Sequence, residues 1–155
     1  MPRYAAARAL PALLLIAVPA CTSRVIAPPA KPVAMGQPSV ETAAARDVVN
    51  SFVAAEARGD ESADTLLAPD ADFIATGIVR TARPRLAGMT GRGEGSIEEA
   101  RTDLAGSFAW VAVVYRWVGR TPDSAERARA TFVLVRRLAG WRIRHVHSSM
   151  VERWE

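Results

Sequence analysis

The sequence predicts an α+β domain: helices first, then a strongly curved antiparallel sheet, with the helices covering one face of it. Three observations carry this. Between Glu41 and Arg58 apolar residues recur at spacings of three and four, the period of an amphipathic helix. Between Ser107 and Arg153 come three long segments rich in β-branched and aromatic residues, separated by short turns. At 155 residues the chain has room for one domain round one core.

The helix over Glu41–Arg58 presents Ala44, Val48, Phe52 and Ala55, with Ala45, Val49 and Val53 widening the stripe. Ser39, after Pro38, is its expected N-cap and Gly59 its C-cap. A shorter helix is expected over Glu61–Leu67, ended by Pro69. Asp72–Thr76 and Ile78–Ala82 read as short strands broken at Gly77. Arg83–Ser96, with Pro84, Gly88, Gly91, Gly93 and Gly95, reads as a loop, flexible over the Gly91–Gly95 run. Ile97–Leu104 is read as a strand. Ser107–Val118, Ala128–Leu138 and Trp141–Arg153 then form a meander, turning at Gly119–Ser124 and at Ala139–Gly140.

Ahead of this domain the chain has a different character. Arg3 and Arg8 precede an apolar run over Ala9–Val18 that is too short to span a bilayer. Val18-Pro19-Ala20-Cys21 resembles the lipobox of bacterial lipoproteins, in which the cysteine is acylated and becomes the mature N-terminus. The expected division is therefore a signal peptide over 1–20, a lipid-anchored Cys21 with a Pro-rich tether over 21–38, and the domain over 39–155. Val18 and Ala20 also satisfy a plain secretory signal, so simple secretion is the alternative. Thr22, rather than an Asp, follows the cysteine, which favours the outer membrane and the periplasmic side.

Cys21 is the only cysteine, so no intramolecular disulfide forms and thiol catalysis is unlooked for. The chain carries 20 basic and 16 acidic residues; loss of Arg3 and Arg8 with the signal leaves 18 against 16. That near balance, with no basic block, argues against nucleic acid as a partner. The membrane is reached by the lipid alone.

The stretch Arg129-Ala-Thr131-Phe-Val-Leu-Val-Arg136, followed by Gly140-Trp141-Arg-Ile143-Arg-His145-Val-His147-Ser148-Ser149, resembles the closing hairpin of SnoaL-like domains in the nuclear transport factor 2-like superfamily. Phe108-Ala-Trp110 and Tyr115-Arg-Trp117 fit the same pattern, as does the order of long helix, short helix and a strand at Asp72-Phe73-Ile74. The resemblance implies a cone, the curved antiparallel sheet wrapped round the N-terminal helices, with a pocket at its open end, and a homodimer formed through the outer face of the sheet. Members of that superfamily include isomerases, dehydratases, hydrolases and non-catalytic association domains, so the fold does not select among them.

Side chains on a strand alternate faces. Trp141, Ile143, His145, His147 and Ser149 are thereby expected on one face, taken as the concave one, and Arg142, Arg144, Val146 and Ser148 on the other. Trp110, Arg129, Thr131, His145 and His147 are the candidate lining of a pocket for an apolar or anionic small molecule. His147 or His145 could act as general acid or base with Asp72 as the carboxylate, and an Arg could stabilise developing negative charge. The same residues could instead only satisfy hydrogen bonds within the sheet, and Trp110, Trp117, Trp141 and Trp154 more often serve core or interface. His145-x-His147, even with Glu152, falls short of a metal-ligand set, and no cofactor is expected. Gly91-Arg-Gly93-Glu-Gly95 lacks the Lys-Ser/Thr step of a phosphate loop, and no Gly-x-Ser-x-Gly elbow is present. Three readings stand: a small-molecule-binding or accessory module, an isomerase- or hydrolase-type enzyme, and an association domain.

Overall fold

The computed structural model describes residues 39–121 and 124–151. The signal segment, Cys21, the tether and Glu152 to Glu155, Trp154 among them, lie outside the described residues. Helix α1 spans Val40–Arg58 and a 3₁₀ turn spans Glu61–Leu66. Six strands follow: β1 (Leu67–Ala75), β2 (Ile78–Val79), β3 (Gly93–Ala105), β4 (Phe108–Gly119), β5 (Ala125–Arg137) and β6 (Gly140–Met150).

The helix ends are the expected ones. The Ser39 hydroxyl accepts from the Thr42 N–H at 3.2 Å, and Gly59 closes the helix at φ 68°, a left-handed value glycine adopts without strain. Asp60 caps the 3₁₀ turn by accepting from the Ser62 N–H at 2.9 Å.

The strands form one curved sheet in the order β2-β1-β6-β5-β4-β3. The last four are an antiparallel meander, the final three of them as expected. β1, however, lies parallel to β6, so the sheet is mixed. α1 packs on one face through Ala45, Val49, Phe52 and Val53, all fully buried. Phe52 stacks on Phe73 of β1 at 5.8 Å and meets Phe132 of β5 edge-on at 5.9 Å. These contacts tie the helix to both halves of the sheet.

Several expected boundaries are corrected. The short helix is a 3₁₀ turn, and β1 starts at Leu67, before Pro69 rather than after it. Proline is accepted there because the β1–β6 register breaks between Leu67 and Asp72, where no ladder donor is needed. The strand expected over Ile78–Ala82 is only the pair Ile78–Val79. Two glycines assigned to the loop, Gly93 and Gly95, belong to β3. A Cβ on Gly95 would lie 2.8 Å from Ala57 Cβ and 2.9 Å from the Val53 carbonyl of α1; one on Gly93 would lie 2.2 Å from the Val118 carbonyl. Glycine there permits close approach of backbone, not a turn.

The segment before β3 is also unlike a flexible rim. Arg85, Leu86, Ala87 and Met89 are buried, the apolar three within the hydrophobic core itself. Ala87 is fastened twice: its N–H donates to Ser148 Oγ at 3.0 Å, and its carbonyl accepts from the Tyr115 hydroxyl at 2.6 Å. Burial holds the Tyr115 phenol well above its usual range, a rise that its hydrogen bond with Ser148 only partly offsets.

Candidate functional site

One bulge decides what β6 shows to each side of the sheet. Ile143 pairs with Leu134 and His145 with Val133, so Arg144 has no partner on β5. Before the bulge Trp141 and Ile143 point toward α1; after it Val146 and Ser148 do, at 0% and 1% exposure. His145 and His147 therefore lie on the face turned away from the helix. The expectation that they share the concave face with Trp141 and Ile143 is corrected: strict alternation fails at Arg144.

The other candidates follow them. Arg129 and Thr131 on β5, and Trp110 on β4, are on this same exposed face, with Trp110 41% exposed. Neighbours across the sheet are Thr131 beside His147, Ala112 beside Thr131, and Arg129 beside Ser149. The five residues thus share a face, as expected, but the opposite one from that expected. Arg129, Thr131 and His147 line a shallow depression of about 380 Å³, bordered by Glu99, Arg101 and Ser149. Arg129 makes no ion pair among the described residues, whereas Arg127, one turn of the pleat away, is tied to Glu98 at 2.7 Å and Glu99 at 3.4 Å. Trp110 lies outside the depression and stands beside Phe108, ring centroids 6.3 Å apart, as part of an exposed aromatic pair.

Asp72 does meet a histidine. It is the register partner of His145 on the parallel β1–β6 pair, and its Oδ1 lies 2.8 Å from His145 Nδ1. The dyad is open to water, with side-chain exposures of 59% and 33%. His147 stands two pairs further along, opposite Ile74, and is not part of it. Among the described residues no group of three or more His, Cys, Asp or Glu gathers as metal ligands do.

Sequence reasoning overlooked the charged group on the helix-facing side. Glu56 of α1 is 1% exposed and is met by Arg85: Nη2 donates to Oε2 at 2.6 Å, Nε to Oε1 at 3.1 Å, and the Arg85 backbone N–H to Oε1 at 2.7 Å. Arg85 also reaches Asp64 at 2.9 Å, and Arg83 reaches Asp64 at 2.6 Å. Burial works against the charge on Arg85, but Glu56 and Asp64 outweigh it and hold its pKa above the usual value. A glutamate on the apolar stripe of α1, four residues after Phe52, was the available signal.

A mixed six-stranded curved sheet with a helix on one face and exposed polar and aromatic residues on the other defines the class: an α+β cone of the nuclear transport factor 2-like, or cystatin-like, type. More particularly, residues 45–152 match the SnoaL-like domain, and the chain belongs to that family. Solved structures agree. A protein of Xanthomonas campestris described as a calcium/calmodulin-dependent protein kinase II association domain is 25% identical, with 74% of this chain and 88% of that one covered and a TM-score of 0.54. A protein of Shewanella frigidimarina described as a ketosteroid isomerase is 23% identical over 68% and 94%, TM-score 0.53. A nuclear transport factor 2-like protein of Novosphingobium aromaticivorans with a cystatin-like fold is 14% identical over 74% and 84%, TM-score 0.58. The last two likenesses show the fold alone. No curated protein matches the sequence.

Proposed function

We propose that this chain is an exported, lipid-anchored accessory module whose SnoaL-like domain forms a homodimer through the exposed face of its sheet and binds a small anionic or apolar molecule there. One observation carries the reading. The helix-facing side is filled by the chain's own Arg85–Met89 segment, while the opposite face leaves Phe108 and Trp110 uncovered at 44% and 41% and, further along the strands, carries Arg129, which makes no ion pair among the described residues. Aromatic side chains in a wetted sheet face are the usual anchors of an interface. The Arg129 guanidinium and His147 suit a carboxylate or phosphate. The Xanthomonas relative, described as an association domain, fits the same reading.

Sedimentation equilibrium is the test. The wild-type chain should run as a dimer, and Trp110→Glu should weaken it by about 2 kcal/mol or more, over tenfold in Kd. A wild-type chain that is monomeric at high micromolar concentration would sink the proposal. Thermal-shift titration with small carboxylates and phosphates, in wild type and Arg129→Ala, tests the ligand part; a shift that survives in Arg129→Ala counts against it.

The Asp72–His145 contact favours a second reading, acid–base catalysis of the isomerase or hydrolase type, with His147 as the alternative base. An identified turnover left unchanged by Asp72→Ala, His145→Ala and His147→Ala would dispose of it.

A further inference from the structure

Arg85 is held inside the domain as a bound ligand would be. Its guanidinium carbon lies 4.7 Å from the centroid of the Phe73 ring and 5.5 Å from that of Phe52. Its nitrogens reach both oxygens of Glu56 and one of Asp64. The walls of this box are regular structure: Phe52 and Glu56 from α1, Asp64 from the 3₁₀ turn, Phe73 from β1. The occupant comes from residues 80–92, which contain neither helix nor strand. An ionised carboxylate as deep as Glu56 must have a cation beside it. Two aromatic faces add to the attraction, and a planar fork meets two carboxylates in a way a point-charged ammonium cannot. The box is not sealed. Asp64 is 55% exposed at its rim, and an open cleft of about 570 Å³ runs along the outside of the segment that carries Arg85.

We propose that this box is a guanidinium-binding site occupied in cis by Arg85, and that it takes an exogenous guanidinium or amidinium compound on a short alkyl stem when Arg85 is withdrawn. The proposal does not depend on the sheet-face reading above.

The test uses the full chain carrying Arg85→Ala, with Arg85→Ser as a second variant, titrated with N-ethylguanidinium at concentrations too low to denature. The thermal midpoint should rise and saturate, and ethylammonium should need more to do the same. Wild type, its site already filled, should show no rise. The doubly substituted Glu56→Gln, Arg85→Ala chain should lose the response. Should the variants be unfolded alone, recovery of the folded circular dichroism spectrum reads the same binding. No response in either variant, equal response to ethylammonium, or an undiminished response without the Glu56 charge would overturn the proposal.

Discussion

The Asp64 carboxylate lies between two arginines, 2.6 Å from Arg83 and 2.9 Å from Arg85, at the edge of the buried pair. Partial burial raises its pKa, but the hydrogen bonds and charges of Arg85 and Arg83 prevail and hold it below the ordinary 3.8. A depressed carboxylate contributes stability that is present above its unfolded value and is lost as pH falls through the lower folded value. Asp64→Asn should therefore be less stable than wild type at pH 7, with the gap closing as the pH drops below 3.8; urea midpoints at pH 7 and pH 3 measure it. A gap of the same size at both would show that the loss is packing and not charge. Residue identity alone made little of this visible. Glu56 was legible as an odd acid in an apolar stripe, but its partner is 29 positions away, across a segment with no regular period. Gly93 and Gly95 misled for a related reason: glycine for a turn and glycine for close contact look alike until the neighbour, here α1 and β4, is in place.

Strand β6 shows what an element can hide. Its two-residue period was read correctly on each side of Arg144, and the inserted residue reversed the outcome for both histidines. The bulge lets Ile143 and Val146, three residues apart, both reach the core. Arg144 itself packs outside, bonding the Asp70 carbonyl and lying 3.2 Å from the Asp70 carboxylate. Deletion of Arg144 should then restore plain alternation with Ile143 and Val146 still inward and His145 still outward. The variant should fold, at a cost within about 1 kcal/mol, the worth of an exposed ion pair. Its denaturation midpoint and the retained His145–Asp72 contact, seen in histidine proton chemical shifts, check this. An unfolded variant would mean that the bulge is needed for the sheet's curvature and not only for its register.

At the scale of the whole molecule, the domain is a helix laid on one face of a mixed sheet, with the other face uncovered among the described residues. No helix among the described residues is long and apolar enough to cross a membrane. Attachment, on the reading proposed here, rests on Cys21. Wild type expressed in a bacterial host should take up radiolabelled palmitate and fractionate with membranes, and Cys21→Ser should do neither. Release of both proteins as soluble secreted chains would favour plain secretion instead.

The sequence by itself determined the architecture: the caps of α1, the three closing strands and their turns, and membership of the SnoaL-like family all follow from local pattern and motif. It also determined which polar residues gather on one face, since Trp110, Arg129 and Thr131 alternate without interruption. Only the tertiary structure decided which face that is. The parallel placing of β1 beside β6, the bulge at Arg144 and the burial of Arg85 against Glu56 join residues far apart in the chain. They are settled by how much apolar surface the helix can cover and where a buried charge finds its partner, and neither leaves a period in the sequence.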